Sequence, residues 1–425
     1  MDKLKTLLKP LKSLSKDVFI LSAGILIAQL IPLILQPLLK RTFNPEDFGT
    51  FDVFLKSFSI LVALSCLKYD NAILLPKKDS ESKHVLYLCL LISSFIFITL
   101  LLIIFFFKNW LMIKLEGFTF LALLLLPFSV LAFSVFNVFN MYLIRRRKFV
   151  LSSTNKVSRR FSEGLIQVLL GFLNNSNGLI IGDMIGNVVQ GAFSFWKVKL
   201  LTPLNHFSFD KIKKVLYEYR ELPIFTLVPN ILNTFVLGSL TFLILSKFDL
   251  QEVGYLEFTQ KILAIPTVFI STAISQVVFQ RVSKHIAKKE NIIPLLFSVM
   301  AILLICSSLF ILIIEFLGTD IFVLIGGEGW ESSGEYAQIL VYGAATMLIF
   351  SPLGKVLIAL KKFKVNSLWE ILKFIAIIQL FNIDRISINE YLKIYTLIII
   401  CSYLVYGVLI IYFSYKYQLD NKIKT

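Results

Sequence analysis

Apolar residues arrive in run after run of roughly 20, the length at which an α-helix crosses about 30 Å of hydrocarbon. That feature leaves few options. Of 425 residues, 57% are hydrophobic and 16% charged, with mean hydropathy +0.79, whereas ordinary soluble domains carry about 25% charge. A soluble globule has nowhere to put that apolar surface, so a cytosolic domain or a string of them is excluded. The runs predict twelve helical spans, at 17–39, 48–68, 84–107, 118–144, 158–173, 178–198, 223–246, 253–280, 292–315, 336–359, 366–382 and 391–414. The expected fold class is an all-α polytopic membrane protein.

Charge placement tests that count. The net charge is +16, from 43 Lys and Arg against 27 Asp and Glu. In a soluble chain such an excess would point to nucleic acid. Here the cations alternate loop by loop. With both termini on the cytoplasmic side, 31 fall in inside segments or at the inner edges of the flanking spans (Arg159, Arg160 and Lys197) and six (Lys40, Arg41, Lys108, Lys114, Lys247, Arg385) in outside loops. This is the positive-inside pattern, so the charge is an orientation signal, helped by anionic lipid at the inner leaflet, and no nucleic-acid partner is expected. The segment 316–335 holds Asp320, Glu328, Glu331 and Glu335 with no Lys or Arg, as an outside loop can. Cys66, Cys89, Cys306 and Cys401 lie in apolar runs without paired spacing, and His84, His206 and His285 are scattered. No disulfide, metal centre or cofactor is expected from them. The Lys-rich start runs into the first span without an A-x-A site, so that span is expected to remain as an anchor.

The two halves echo each other. Before the second span stands Asn44-Pro45-Glu46-Asp47-Phe48-Gly49, then Asp52 and Lys56; before the eighth stands Asp249-Leu250-Gln251-Glu252-Val253-Gly254, then Glu257 and Lys261, all at an offset of 205. A second echo pairs Leu143-Ile144-Arg145-Arg146-Arg147-Lys148-Phe149 with Leu357-Ile358-Ala359-Leu360-Lys361-Lys362-Phe363. Six spans per repeat is even, so the repeats are parallel, as in some transporters. The expected organisation is an N-terminal six-helix lobe over 1–200, a cytoplasmic inter-lobe linker over 201–222 and a C-terminal six-helix lobe over 223–425. Substrate would bind between lobes near mid-membrane.

Polar groups inside spans are the candidate site, because an ionisable group at a helix centre costs roughly 2.5–3.5 kcal/mol. Lys56 and its repeat partner Lys261 lie about 12 Å into their helices at 1.5 Å per residue. One reading is a cationic site on each lobe. The other is a plain i,i+4 ion pair with Asp52 and Glu257. The two agree if pairing holds the lysines in a wet cavity. Lys355 and Arg160 are further cationic candidates, although Lys355 can snorkel and Arg160 shares a helix face with Glu163. Asp183, among Gly182, Gly186 and Gly191 that allow close helix packing, is a candidate for ion coupling together with Glu163. Glu370 and Lys373 are spaced to pair. Gln29, Gln36, Asn137, Asn140, Asn230 and Asn233 are either cavity liners or helix–helix contacts, with Pro32, Pro37 and Pro229 as hinges. Lys68-Tyr69-Asp70 reads as a structural cap.

The segment Phe43-Asn44-Pro45-Glu46-Asp47-Phe48-Gly49-Thr50-Phe51, then Lys68-Tyr69-Asp70-Asn71-Ala72-Ile73-Leu74-Leu75-Pro76-Lys77 and the basic Arg145–Phe149 loop, resemble the polysaccharide-biosynthesis, or Wzx-type oligosaccharide, flippases of the multidrug/oligosaccharidyl-lipid/polysaccharide exporter superfamily. The resemblance implies a fold like the multidrug-and-toxin (MATE) exporters, with a V-shaped pair of lobes. It implies export of an undecaprenyl-pyrophosphate-linked oligosaccharide, of the O-antigen, lipopolysaccharide, capsule or exopolysaccharide type, across a bacterial inner membrane. A polysaccharide polymerase and a chain-length regulator are the implied partners, with no catalytic residue. Against that pattern, the first span lacks the mid-helix acid that would suit cationic-drug export, and twelve spans leave no added lipid groove. The alternative expectation is a cation-coupled multidrug or small-molecule exporter of the same superfamily. A membrane polymerase or glycosyltransferase fits less well, because no large outer loop, D-x-D or P-loop motif appears.

Overall fold

The computed structural model describes residues 24, 26–114, 117–201, 207–384 and 386–422, side chains excepted at 201, 421 and 422. The start of the first predicted span, the cations before it, His206 and Arg385 lie outside the described residues. Among the described residues the chain is helical, with no strand. The helices are α1 (26–42), α2 (Pro45–Ser65), α3 (Asp79–Lys114), α4 (Phe120–Arg145), α5 (Phe149–Phe172), α6 (Gly178–Leu201), α7 (Phe209–Glu218), α8 (Val228–Lys247), α9 (Leu250–Ala287), α10 (Ile293–Gly326), α11 (Glu331–Phe350), α12 (Lys355–Ala359), α13 (Phe363–Ile378) and α14 (Ile388–Lys422).

Every predicted span meets a helix, and nine described stretches are long and apolar enough to cross a membrane. The count of twelve is not reached on that measure. α5 is too polar, carrying Lys156, Arg159, Arg160 and Glu163, and α13 has only 16 residues. The described part of α1 is also short. Several helices outrun the bilayer: α9, with 38 residues, is about 57 Å long at 1.5 Å per residue. The acidic segment 316–335 is not a long loop either. α10 continues to Gly326 and α11 starts at Glu331, leaving a short turn. Lys40, expected in an outside loop, is buried at the end of α1 with its ammonium over the Phe48 ring. Its aliphatic stem makes burial tolerable, and the ring face supplies negative potential.

The chain divides into two compact units, Met1–Gly238 and Ser239–Thr425. In the first, α4 packs on α6 and α5 on α6. Gly182 and Gly186 lie where an added Cβ would come within 3.0–3.4 Å or less of Glu163, Arg159 and Gln167 of α5, and one at Gly191 would meet the Ala132 carbonyl of α4 at 2.7 Å. Small residues at these points let the backbones approach. At one end, an apolar cluster gathers Cys66, Ile73, Leu86, Phe139, Tyr142 and Ile212. The predicted linker 201–222 contains α7, which buries Ile212 and Val215 there, and the Tyr69 hydroxyl donates to the Leu216 carbonyl at 3.0 Å. Lys68 adopts φ +64 and Asp70 accepts from Asn137, so Lys68-Tyr69-Asp70 is structural, as expected.

In the second unit, α10 packs on α11, and α11 on α9 and α14. Its core joins Val282, Leu296, Leu348, Val356, Trp369 and Tyr406. The tenth predicted span is interrupted. α11 stops at Phe350, a tight turn spans Pro352–Gly354, and α12 begins at Lys355. Pro352 has no N–H to continue the helix.

Both echoes hold at the backbone level. α2 starts after Asn44 and α9 after Asp249, the same offset of 205. The Asn44 N–H donates to the Asp47 carboxylate at 3.1 Å, and Asp249 accepts from the Glu252 N–H at 3.0 Å, two halves of one capping arrangement. In the second echo Arg147 and Lys361 have φ +54 and +58, and Lys148 and Lys362 have φ/ψ of −88/55 and −90/47. Lys148 N–H reaches Leu143 O at 2.9 Å, and Lys362 N–H reaches Leu357 O at 2.8 Å. This is a Schellman turn in both places.

Candidate functional site

Helix geometry places an acid and a lysine four residues apart on one face. In α2, Asp52 is buried and Lys56 Nζ lies 3.5 Å from its Oδ1; in α9, Glu257 is buried and Lys261 Nζ lies 2.7 Å from its Oε1. The lysine side chains keep 27% and 36% of their surface, so in each unit the acid sits inside and the ammonium reaches out. The stem of Lys56 runs past Gly238 of α8, where a Cβ would come within 3.3 Å of it. Both predicted pairs are therefore formed. Each leaves its cation available on one side.

A larger polar network fills the contact between α5 and α6. Arg159 Nη2 donates to Asp183 Oδ1 at 2.8 Å, and its Nε lies 3.8 Å from Glu163 Oε2. Arg160 Nη1 donates to both Glu163 oxygens at 2.9 Å. Asn187 Nδ2 donates to Asp183 Oδ2 at 2.8 Å, Gln190 to Asn187 at 3.1 Å, and Asn155 to the Gln190 carbonyl at 3.1 Å and to Ser194 Oγ. Two guanidinium groups thus face two buried carboxylates, and the formal charge cancels. Partnering of this kind is what makes buried charge tolerable, since an isolated ion there costs several kcal/mol.

The sequence reading found Asp183, Glu163 and Arg160 and missed Asn155, Asn187, Gln190 and Ser194. A signal was present. Positions 183, 187, 190 and 194 follow a 4-3-4 spacing, and 152, 155, 159, 163 and 167 follow 3-4-4-4, each one helical face.

The remaining candidates disperse. Asn137 Nδ2 donates to Asp70 Oδ2 at 2.9 Å, and Asn140 Oδ1 accepts from Ser152 at 2.6 Å, so both amides bridge packed elements. Gln36 is buried with Nε2 unpartnered among the described residues. Gln29, Asn233, Pro229 and Lys355 are exposed, and Asn230, Pro32 and Pro37 are half-buried. Pro223 opens a wide π-type turn to Leu227 directly before α8, the kind of irregularity that proline introduces at a helix start. Glu370 and Lys373 pair at 2.8 Å.

A model of the polysaccharide biosynthesis protein family matches residues 14–285. No curated protein matches the chain. Among solved structures, the lipid II flippase MurJ in an inward closed conformation superposes with TM-score 0.72 at 16% identity, covering 95% of this chain and 91% of that one. MATE family multidrug resistance transporters of the MOP superfamily superpose with TM-scores of 0.60 (inward-facing; 12% identity, 92% and 95% covered) and 0.61 (outward-facing; 11%, 96% and 96%). At these identities the likeness is one of fold, and it is that of flippases and transporters. With a match spanning well over half its length and the membrane-spanning helices in place, the chain belongs to the polysaccharide biosynthesis protein family and has the MurJ- and MATE-like fold.

Proposed function

We propose that this protein is a lipid-linked oligosaccharide flippase. It moves an undecaprenyl-pyrophosphate-linked glycan unit from the inner to the outer leaflet of a bacterial cytoplasmic membrane by alternating access, with both termini in the cytoplasm and no covalent chemistry. The family match supports a role in polysaccharide assembly. The observation that carries the mechanism is the duplicated acid–lysine pair, a half-exposed ammonium at repeat-equivalent depth in α2 and α9. A pyrophosphate cannot cross hydrocarbon unaided, and Lys56 and Lys261 replace part of its hydration while the polyprenyl tail stays in lipid. The N-terminal lobe 1–200 and C-terminal lobe 223–425 are the rocking bodies on this reading. An inside-negative potential favours outward movement of the anion by about 2.3 kcal/mol per charge per 100 mV.

Gln29, Asn230, Asn233, Lys355 and the hinges Pro32, Pro37 and Pro229 keep their proposed cavity and hinge roles. Asp183 and Glu163 are read as structural, because Arg159 and Arg160 already occupy their oxygens. A polymerase and a chain-length regulator remain the proposed partners. The second reading, a cation-coupled exporter, has the MATE likeness in its favour and the neutralised acids of α5 and α6 against it.

The test is surface polysaccharide at matched protein level. Lys56→Ala alone strands a buried carboxylate, so the informative variants are the charge-neutral Asp52→Asn/Lys56→Met and Glu257→Gln/Lys261→Met, singly and combined. Export should fall with each and be lost in the combination. Normal export by the combined variant removes the lysines from the mechanism, and efflux of cationic dyes by the wild type would favour the second reading.

A further inference from the structure

We propose that the turn joining α4 to α5 is a binding site for a phosphate oxyanion, separate from the intramembrane pairs. An open cleft of about 480 Å³ is lined by four consecutive cations, Arg145, Arg146, Arg147 and Lys148. The site is built. Arg145 Nη1 donates to the carbonyls of Ile73 and Leu74 at 3.3 and 3.2 Å, and its Nε stands 3.5 Å from Asp79. Arg146 lies 3.7 Å from the other Asp79 oxygen, and Tyr142 donates to that same oxygen at 2.7 Å. One carboxylate, held from three sides, thus serves two guanidinium groups. Arg147 and Lys148 are exposed and have no carboxylate within ion-pair distance among the described residues.

The backbone concentrates this charge. The left-handed φ of Arg147 reverses the chain so that consecutive cations border one cleft. The same reversal starts α5, whose N-cap Lys148 offers no side-chain acceptor to the first N–H groups of the helix. Tetrahedral phosphate oxygens fit such a set of guanidinium and ammonium donors. The related turn at Lys361-Lys362 has the same backbone but Ala359 and Leu360 in place of Arg145 and Arg146. It is an internal control with half the cations.

The shared chemistry is phosphate, from a lipid headgroup or from solution. The test uses the purified full-length protein and two probes, short-chain phosphatidylglycerol and inorganic phosphate, with binding read by native mass spectrometry and each probe competed against the other. At about fivefold per cation near a charged surface, Arg146→Gln/Arg147→Gly/Lys148→Gln should weaken binding by about 100-fold. Lys361→Gln/Lys362→Gln should leave it nearly unchanged. Binding of the lipid alone assigns a headgroup site, and equal binding of inorganic phosphate assigns a solution anion; both uphold the proposal. No binding of either probe to the wild type, unchanged binding in the triple variant, or an equal loss from the second turn overturns it. Should the triple variant not fold, the exposed single change Lys148→Gln should still lose about fivefold, and an unchanged affinity there is equally decisive.

Discussion

The α5/α6 hairpin of the first unit and the α13/α14 hairpin of the second follow the same turn yet solve their interiors in opposite ways. At the offset of that turn, Arg159 corresponds to Lys373, Asn155 to Trp369 and Glu163 to Ile377. In the first hairpin the cation is met by carboxylates and an amide chain. In the second, Lys373 lies over the rings of Trp369 and Tyr403 at 4.3 and 5.6 Å and pairs with the part-exposed Glu370. Trp369 stacks on Tyr406 at 3.9 Å and donates to the Ser402 carbonyl at 2.8 Å, while Tyr406 donates to Asn366 at 2.5 Å. The repeat therefore shares a backbone and one cation position but not the counter-charge. A ring face holds a cation without a second buried ion to desolvate, whereas a carboxylate pair must be matched completely or not at all. The first unit is the one that tolerates least change in its charge.

The largest expected effect follows from that contrast. Arg159→Met leaves two buried carboxylates short of a partner and should cost about 3–5 kcal/mol, read as a lowered thermal unfolding midpoint in detergent. Lys373→Met, whose partner Glu370 is part-exposed and whose site holds no second buried ion, should cost only about 1 kcal/mol; equal losses would break the comparison. In the second hairpin the weight lies on the aromatic group, and Trp369→Ala should cost about 3–5 kcal/mol by emptying the stack.

A smaller effect probes backbone approach. Gly191→Ala drives a Cβ onto the Ala132 carbonyl and should cost about 1–3 kcal/mol. Gly343→Ala in the second unit meets only ordinary contacts and should be nearly silent in the same melt. Smallest are the paired caps: Asp249→Ala should cost about 1 kcal/mol. Asn44→Ala should cost less, because its main-chain N–H still reaches Asp47. Equal losses would show that the two starts are not closed from opposite sides.

Much of this was legible from local spacing. Asp52–Lys56, Glu257–Lys261, Arg160–Glu163 and Glu370–Lys373 are spaced i,i+3 or i,i+4, so a helix assignment alone brings each pair together. The two echoes were legible because caps and Schellman turns are made by residues within one turn of each other. Arg159 with Asp183, Asn137 with Asp70 and Tyr69 with Leu216 were not, because each joins helices remote in sequence.

What the sequence determined by itself was the helical membrane class, the internal repeat and the short-range ion pairs. These follow from transfer free energy and helix periodicity, which depend on neighbours along the chain. Only the tertiary structure decided that Asp183 answers to Arg159, that Lys40 is buried under a ring, that α11 breaks before Lys355, and that four cations border one cleft. Each depends on which faces of distant helices meet, and packing alone selects those.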